Sequence, residues 1–445
     1  MRSLAAIATA ISCALVVFVW SSALQSKDAG APPGTADLNQ LLRDRRYLEL
    51  DTALASKSNL SVSDRTFFDG VMANRRNRVA DSIRMLEPLV PSLSSGDKER
   101  AVMTLSTLAD DYEKSFRYSD AANTYDELER RFGLLMDESE RQRATREAAR
   151  WNLLRGSPPQ SVEVKEPFTI PTRKDRVGLP EVWVDFGKFH ESLILDTGAN
   201  LSAISVSLAQ RLGLKLSNST ATSRGIAGRR MAIRTAVIPE LRLGEAKIKS
   251  VAVIVIDDKD LVVPSLHYLI PGSIGFPVLS ALGRITFFAD GRFGVGLSPA
   301  TGTSGGEENL FLQRLMPVVA AEVEGTERLF TIDTGSAGTF FTMQYYLEHR
   351  SDFASRTIGS FDLAGAGGVR SYPAYLTGKV NIKMGGACVS LNQLPVITQP
   401  RAHSEDKFYG NIGQLVLGRL KSYTFDFQKM NFSAEGDTCK PGEQK

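Results

Sequence analysis

Histidine is scarce in this chain of 445 residues: His190, His267, His349 and His403 are the only four, and their spacing suits no metal-ligand set. Each reads as a surface residue or a satisfied core side chain. No excess of one charge is present, since 53 Lys and Arg face 50 Asp and Glu for a formal net charge of +3. No basic run is interleaved with aromatics, so nothing points to a nucleic-acid surface. A Gly-x-Ser-x-Gly elbow and a phosphate-binding loop are both missing. The stretch "GAGG" at 365–368 reads as a flexible hairpin tip rather than a phosphate cradle. The chain contains three cysteines. Cys13 lies within an apolar run, and Cys388 and Cys439 lie outside it. In an oxidising compartment these two would pair and fasten the C-terminal tail to the body; the other reading is two free thiols.

The composition is that of a globular protein, with 42% hydrophobic and 23% charged residues. Its length exceeds one ordinary core, and a prior of about 150 residues per domain suggests about three units. Arg2 precedes an almost uncharged apolar stretch from Leu4 to Ala23, closed by "SSALQSKDAG". A basic start, an apolar centre and small residues at Ser21 and Ala23 read as an export signal over 1–23, cut after Ala23. The stretch is also nearly long enough for an uncleaved anchor, and both readings stay open. Either way the bulk of the chain is expected outside the cytoplasm, as a periplasmic, secreted or membrane-anchored protein. The only membrane contact foreseen is through that anchor.

A linker over 24–36, including "GAPPGTA", leads into residues 37–156, where apolar positions recur at three and four and strand-like alternation is absent. Two segments align without gaps at an offset of 41, residues 67–90 and 108–131. The second resembles a tetratricopeptide helix pair, with Leu108, Ala109, Tyr112, Ala121 and Tyr125 at the small and aromatic packing positions. That resemblance implies a module able to bind a partner protein or peptide. The alternative is a helical unit that only packs on its neighbour or serves as a prodomain.

At "RGSPPQSVEV", residues 155–164, the texture changes to short alternating runs broken by Gly, Asp and Pro. Asp290-Gly291 between two such runs is a hairpin signal. "TGTSGGEE" at 301–308 divides this region into similar halves, 165–300 and 309–436, followed by a tail over 437–445. The first half holds "LILDTGANLSAIS" and the second "LFTIDTGSAGTFFT", so that Asp333 follows Asp196 by 137 positions. Downstream, "GSIG" places Gly275 79 residues after Asp196, and "GNIG" places Gly413 80 after Asp333. Matching motifs at matching offsets indicate duplication. A strand fixes each carboxylate, and glycine lets the chain turn with no side chain over the acid. Two such loops related by an approximate two-fold bring two carboxylates together. Like charges cannot both ionise cheaply there, so the pair shares a proton and can act as base and acid.

These stretches resemble aspartic proteases of the retropepsin type, as found in exported bacterial proteins, over roughly residues 165–436. The resemblance implies a multidomain protein: an all-β acid-protease fold of two homologous lobes, preceded by the α-helical repeat domain. The aspartates are closer in sequence than in pepsin-like enzymes, which fits the smaller retropepsin lobe. Carried over, Asp196 and Asp333 are the catalytic pair of an aspartic endopeptidase acting on a peptide or protein substrate. Thr197 and Thr334 lock the two loops, and Gly198 and Gly335 permit the turns. Ile274-Gly275 and Ile412-Gly413 back each loop. The reaction needs no metal or organic cofactor. Closing hairpins would fall at Gly225 and Gly228 in one half and at Gly365 and Gly367 in the other. Neither shows an obvious flap tyrosine, although Tyr372 and Tyr375 lie near the second. Ala199 and Ser336 differ between the copies. A Ser336 hydroxyl donating to its carboxylate would make Asp333 the more acidic member and leave the proton on Asp196. The competing reading is a catalytically silent peptide-binding scaffold of the same fold, with the helical repeats binding the partner.

Overall fold

The structure, a computed structural model, describes residues 35–56, 59–225, 230–263, 266–298, 308–401 and 407–439. The expected signal or anchor over 1–23, nearly all of the linker, residues 301–307 of the divider, Gly228 and His403 lie outside the described residues.

The N-terminal unit is built from α1 (Thr35–Arg43), α2 (Tyr47–Ser56), α3 (Val62–Arg75), α4 (Val79–Leu86), α5 (Lys98–Lys114), α6 (Tyr118–Phe132) and α7 (Glu138–Asn152). Asp137 opens α7 with a capping box. Its carboxylate accepts from the Glu140 N–H at 2.7 Å, and the Glu140 side chain accepts from the Asp137 N–H at 3.0 Å. The turns after α1, α3 and α5 share one device. Arg45, Asn77 and Phe116 take left-handed φ of 57°, 56° and 60°, and the next N–H reaches back five residues, as from Arg78 to Ala73 O and Arg117 to Tyr112 O, both at 2.8 Å. This turn sets the register between the second and third helix pairs at 39 residues, Asn77 to Phe116. The gapless offset of 41 is corrected accordingly, because turn geometry rather than matching apolar letters fixes the alignment. Ala101, Ala109, Ala121 and Ala122 are fully buried and let α5 and α6 approach closely. Buried Trp151 stacks on Tyr118 with ring centroids 5.8 Å apart.

Two β lobes follow. In lobe 1, strand Pro180–Asp185 pairs antiparallel with His190–Leu195, which runs parallel to Gly272–Ile274; that strand in turn pairs antiparallel with Ser202–Ser205. Lobe 2 repeats the wiring with Pro317–Val323, Thr326–Ile332, Gly410–Ile412 and Phe340–Phe341. Both copies are therefore folded against each other within one chain. They are joined by a shared sheet in which Arg284–Phe288 lies antiparallel to Ser422–Asp426. Thr286 stands opposite Thr424 on the approximate two-fold, their hydroxyls 2.9 Å apart. The Asp290-Gly291 turn lies between strands Arg284–Phe288 and Arg292–Val295, with Gly291 at φ +84°. Cys388 and Cys439 are disulfide-bonded with Cα atoms 5.4 Å apart, tying residues 437–439 to strand Ala387–Asn392.

The helical unit docks on lobe 2 through charged side chains. Arg314, at φ +57° in the turn between Leu310–Leu312 and Pro317–Val323, enters an acidic recess between α5 and α7. Its guanidinium is 2.8 Å from buried Glu147 and 3.7 Å from buried Glu113, which also accepts from Tyr125 at 3.0 Å. Burial pushes the Glu113 carboxyl up to about 8. Burial pushes on Glu147 too, but Arg150 and Arg314 outweigh it and hold that group down at about 2. Arg76 at the end of α3 stacks 3.7 Å from the Phe311 ring centroid and donates to Glu308 O at 2.8 Å.

Candidate functional site

Strands His190–Leu195 and Thr326–Ile332 point toward each other and deliver Asp196 and Asp333 to the junction of the lobes. Each loop closes identically. Asp196 N–H donates to Ile274 O at 3.0 Å and Asp333 N–H to Ile412 O at 2.9 Å. Gly198 N–H then donates to Asp196 Oδ1 and Gly335 N–H to Asp333 Oδ1, both at 2.9 Å. The loops also lock across the two-fold. Thr197 N–H donates to Thr334 Oγ1, and Thr334 N–H donates to Thr197 Oγ1, both at 3.0 Å. The hydroxyls pass the chain of bonds on, from Thr197 to Ile332 O at 3.1 Å and from Thr334 to Leu195 O at 2.6 Å. All four partners are backbone groups or threonines with no exposed surface, so the carboxylates above them have little freedom to move.

The glycines are required by the opposite lobe. A Cβ on Gly198 would lie 2.4 Å from the Asp333 carboxyl carbon, and one on Gly335 would lie 2.4 Å from that of Asp196. Each carboxylate therefore rests on the other loop's glycine, which brings the two acids together at the lobe boundary. Behind them, Gly275 and Gly413 are equally confined. A Cβ there would meet Leu201 C at 2.5 Å and Gly338 O at 2.2 Å.

Two residues escaped the sequence reading. Ser202 Oγ accepts from Gly275 N–H, and Thr339 Oγ1 accepts from Gly413 N–H, each at 3.0 Å. Both stand six residues after their aspartate, and that shared offset of a hydroxyl was the available signal. Ala199 and Ser336 are alike in their backbones: Ala199 O accepts from Phe276 N–H and Ser336 O from Gln414 N–H, both at 2.8 Å. The Ser336 hydroxyl differs from expectation. It donates to Gly338 O at 3.0 Å, a carbonyl two residues on, and does not serve the carboxylate.

The two carboxyls titrate as a pair. Burial raises Asp196 from the usual carboxylate range to about 6. Burial, and then the Asp196 charge beside it, raises Asp333 well above that range too. Both are thus raised by burial, and the Ser336 hydroxyl supplies neither with a donor. Two raised carboxyls brought together in this way are set up to hold one proton between them.

Above the loops, strands Gly359–Gly365 and Gly368–Leu376 form a hairpin whose base rests on lobe 2. Phe361 packs on Phe340 with centroids 5.6 Å apart, beside buried Leu363, Tyr372 and Ile397. The tip, with Gly365 and Gly367, crosses to lobe 1, where Gly367 N–H donates to Asp260 O at 3.1 Å. Gly225 meets it from strand Ala221–Arg224, so close that a Cβ there would lie 1.7 Å from Ala366 O. Tyr372 turns inward and is buried, its hydroxyl finding no partner among the described residues. Tyr375 stacks on Tyr346 and Phe353, away from the tip. A separate cavity of about 720 Å³ opens beside strand His190–Leu195, lined by Arg173, Arg176, Ser192, Arg211 and Tyr268, and touches neither aspartate. Among the described residues no group of three or more His, Cys, Asp or Glu is placed to hold a metal ion.

Residues 181–278 match a family model described as aspartyl protease, which takes in Asp196 and the Ile274-Gly275 pair of lobe 1. Among solved structures, a retropepsin-like aspartic protease from Rickettsia conorii is similar at 17% identity, over 30% of this chain and 94% of that one, with a TM-score of 0.22. A comparison with curated proteins yields no match.

Proposed function

We propose that this retropepsin-like pair of lobes, preceded by a helical unit, is an aspartic endopeptidase with one Asp196/Asp333 site. The observation that carries it is the mutual seating of the two carboxyls, each on the other lobe's glycine and each in reach of its own loop's N–H. With one proton between them, the ionised member takes a proton from an attacking water, and the protonated member donates to the scissile carbonyl oxygen. Proton transfer to the leaving nitrogen then completes the cut. A peptide lies extended between the dyad and the 359–376 hairpin, its backbone bonded to strand edges. Export is part of the proposal and is supported by the Cys388–Cys439 bond, since such bonds persist in oxidising compartments.

The test is cleavage of a diverse peptide library by the full chain from about pH 3 to 8, with Asp196→Asn and Asp333→Asn in parallel. Loss of all cleavage in either variant is the expected result. Cleavage that survives both substitutions, or wild-type protein that is folded and cuts nothing across that range, overturns the assignment. The second outcome would leave a peptide-binding scaffold.

A further inference from the structure

Three distant parts of the chain meet in one small apolar cluster outside the main core. Ala221, Met231, Ile233, Ile256 and Leu261 of lobe 1 form its buried centre. Ala366, at the tip of the lobe 2 hairpin, packs on it from one side. Leu153, the first residue after α7, packs on it from another, and its carbonyl accepts from Thr235 Oγ1 at 3.3 Å. Along the same edge α7 lies against strand Ala221–Arg224.

Among the described residues the hairpin tip also meets lobe 1 through the Gly367 to Asp260 bond, the close approach of Ala366 O to Gly225, and the packing of buried Gly367 against the Met231 side chain. Gly225 and Gly367 contribute no apolar side chain to these contacts. Small clusters cut off from a main core open at low free energy, and the elements resting on them open too. Leu153 is the large apolar side chain that the helical unit adds to this cluster. The unit itself is tied to lobe 2 by Arg314 in its acidic recess.

We propose that Leu153 is a positioning residue for the cleft. Through this cluster, which includes Met231 and Leu261, it holds the surface on which the 359–376 hairpin closes. The helical unit is then a working part of the site, acting within the same chain. It sets the fraction of time the hairpin is shut over substrate, and closure excludes water and aligns the peptide. This rests on the endopeptidase reading for its kinetic consequence, while the mechanical link stands on the contacts alone.

The test compares wild type, Leu153→Ala, Leu153→Met and Ala366→Asp in the full chain, by amide hydrogen exchange and by steady-state cleavage. Leu153→Ala is expected to speed exchange in 359–376 while leaving α3 to α6 unchanged. It should lower kcat/KM about tenfold, chiefly through kcat, with the pH profile unmoved. Leu153→Met, which restores apolar volume, is expected to recover both readouts. Ala366→Asp attacks the cluster from lobe 2 without touching the helical unit, and combined with Leu153→Ala it should add less than the sum of the two. Unchanged hairpin exchange in Leu153→Ala, a rise in kcat/KM, or full additivity would overturn the proposal. Should wild type cut nothing, the endopeptidase reading fails, and hairpin exchange in the same variants still decides the mechanical link.

Discussion

Thr197 and Thr334 exchange bonds, each giving its N–H to the other's hydroxyl at 3.0 Å across the lobe boundary. Thr197→Val keeps the shape and removes the hydroxyl, leaving the buried Thr334 N–H without an acceptor. The expected cost is about 1–3 kcal/mol of stability, together with a fall in kcat/KM. Thr197→Ser retains the hydroxyl and should restore most of both. Chemical denaturation of the three proteins beside their cleavage rates provides the check.

Gly198→Ala places a methyl group against the Asp333 carboxyl, 2.4 Å from its carbon. One acid must then move, and displacements of that order at reacting groups cost roughly 100-fold or more in rate. Gly335→Ala should behave alike from the other lobe. Single-turnover rates would show it, and wild-type rates in either variant would contradict the mutual seating.

Acidification should remove activity as the pair takes up its second proton. With Asp196 raised to about 6 and Asp333 raised as well, the singly protonated pair exists above pH 6 rather than in strong acid. The acidic limb of the pH-rate profile is therefore expected near pH 6. Stability follows the same groups with a definite sign. Carboxyls raised on folding bind more protons folded than unfolded, so stability falls as pH climbs from the unperturbed 3.8 through 6. Asp196→Asn removes the buried charge and should raise Tm at pH 7, by on the order of 5 °C, with the gain vanishing below pH 4.

Arg314→Met removes the cation from the recess that holds Glu147 and Glu113. Leaving a buried carboxylate unpaired costs about 3–5 kcal/mol, and because Arg150 stays 3.0 Å from Glu147 the lower end is expected. Adding Glu147→Gln should recover part of the loss. Hydrogen exchange on α5 and α7 would locate the effect, and an unchanged Tm would show that the recess does not fasten the helical unit.

The bond between Cys388 and Cys439 closes a segment with a sequence separation of 51. In the chain-entropy account a loop of that size stabilises by up to about 4 kcal/mol. The double serine variant should lose a comparable amount, read as Tm under non-reducing conditions, whereas dithiothreitol should lower only the wild type.

What the sequence made legible was local. Asp-Thr-Gly, the downstream Ile-Gly and the Asp290-Gly291 turn each lie within a few residues of chain, so their duplication could be read directly. Ser202 and Thr339 were overlooked because a hydroxyl six residues from an acid has no meaning until the Ile-Gly strand passes behind it. Ser336 misled for a related reason. Its hydroxyl could serve either the carboxylate or the nearby Gly338 carbonyl, and only the loop's path decides between them. Helix periodicity marked the N-terminal unit, but its register shifted from 41 to 39 because left-handed Asn77 and Phe116 are ordinary letters in a sequence. The meeting of Leu153, Met231 and Ala366 joins residues with no sequence pattern in common, and folding alone brings them together.

The pairing of Thr286 with Thr424 also bears on how the two halves can change over time. In a pair of identical subunits every substitution appears twice, so a side chain good for one half must be tolerated by the other. Here the sheet edges that would join two copies are already satisfied inside one chain, strand Arg284–Phe288 against Ser422–Asp426. Each half is thus free to vary on its own. Ala199 can stand where its counterpart is Ser336, and Ala366 can reach across from one half onto a cluster that Leu153 completes in the other. Fusion thereby opens a division of labour that a symmetric dimer cannot reach: one half can specialise in covering the peptide while the other specialises in listening to the helices.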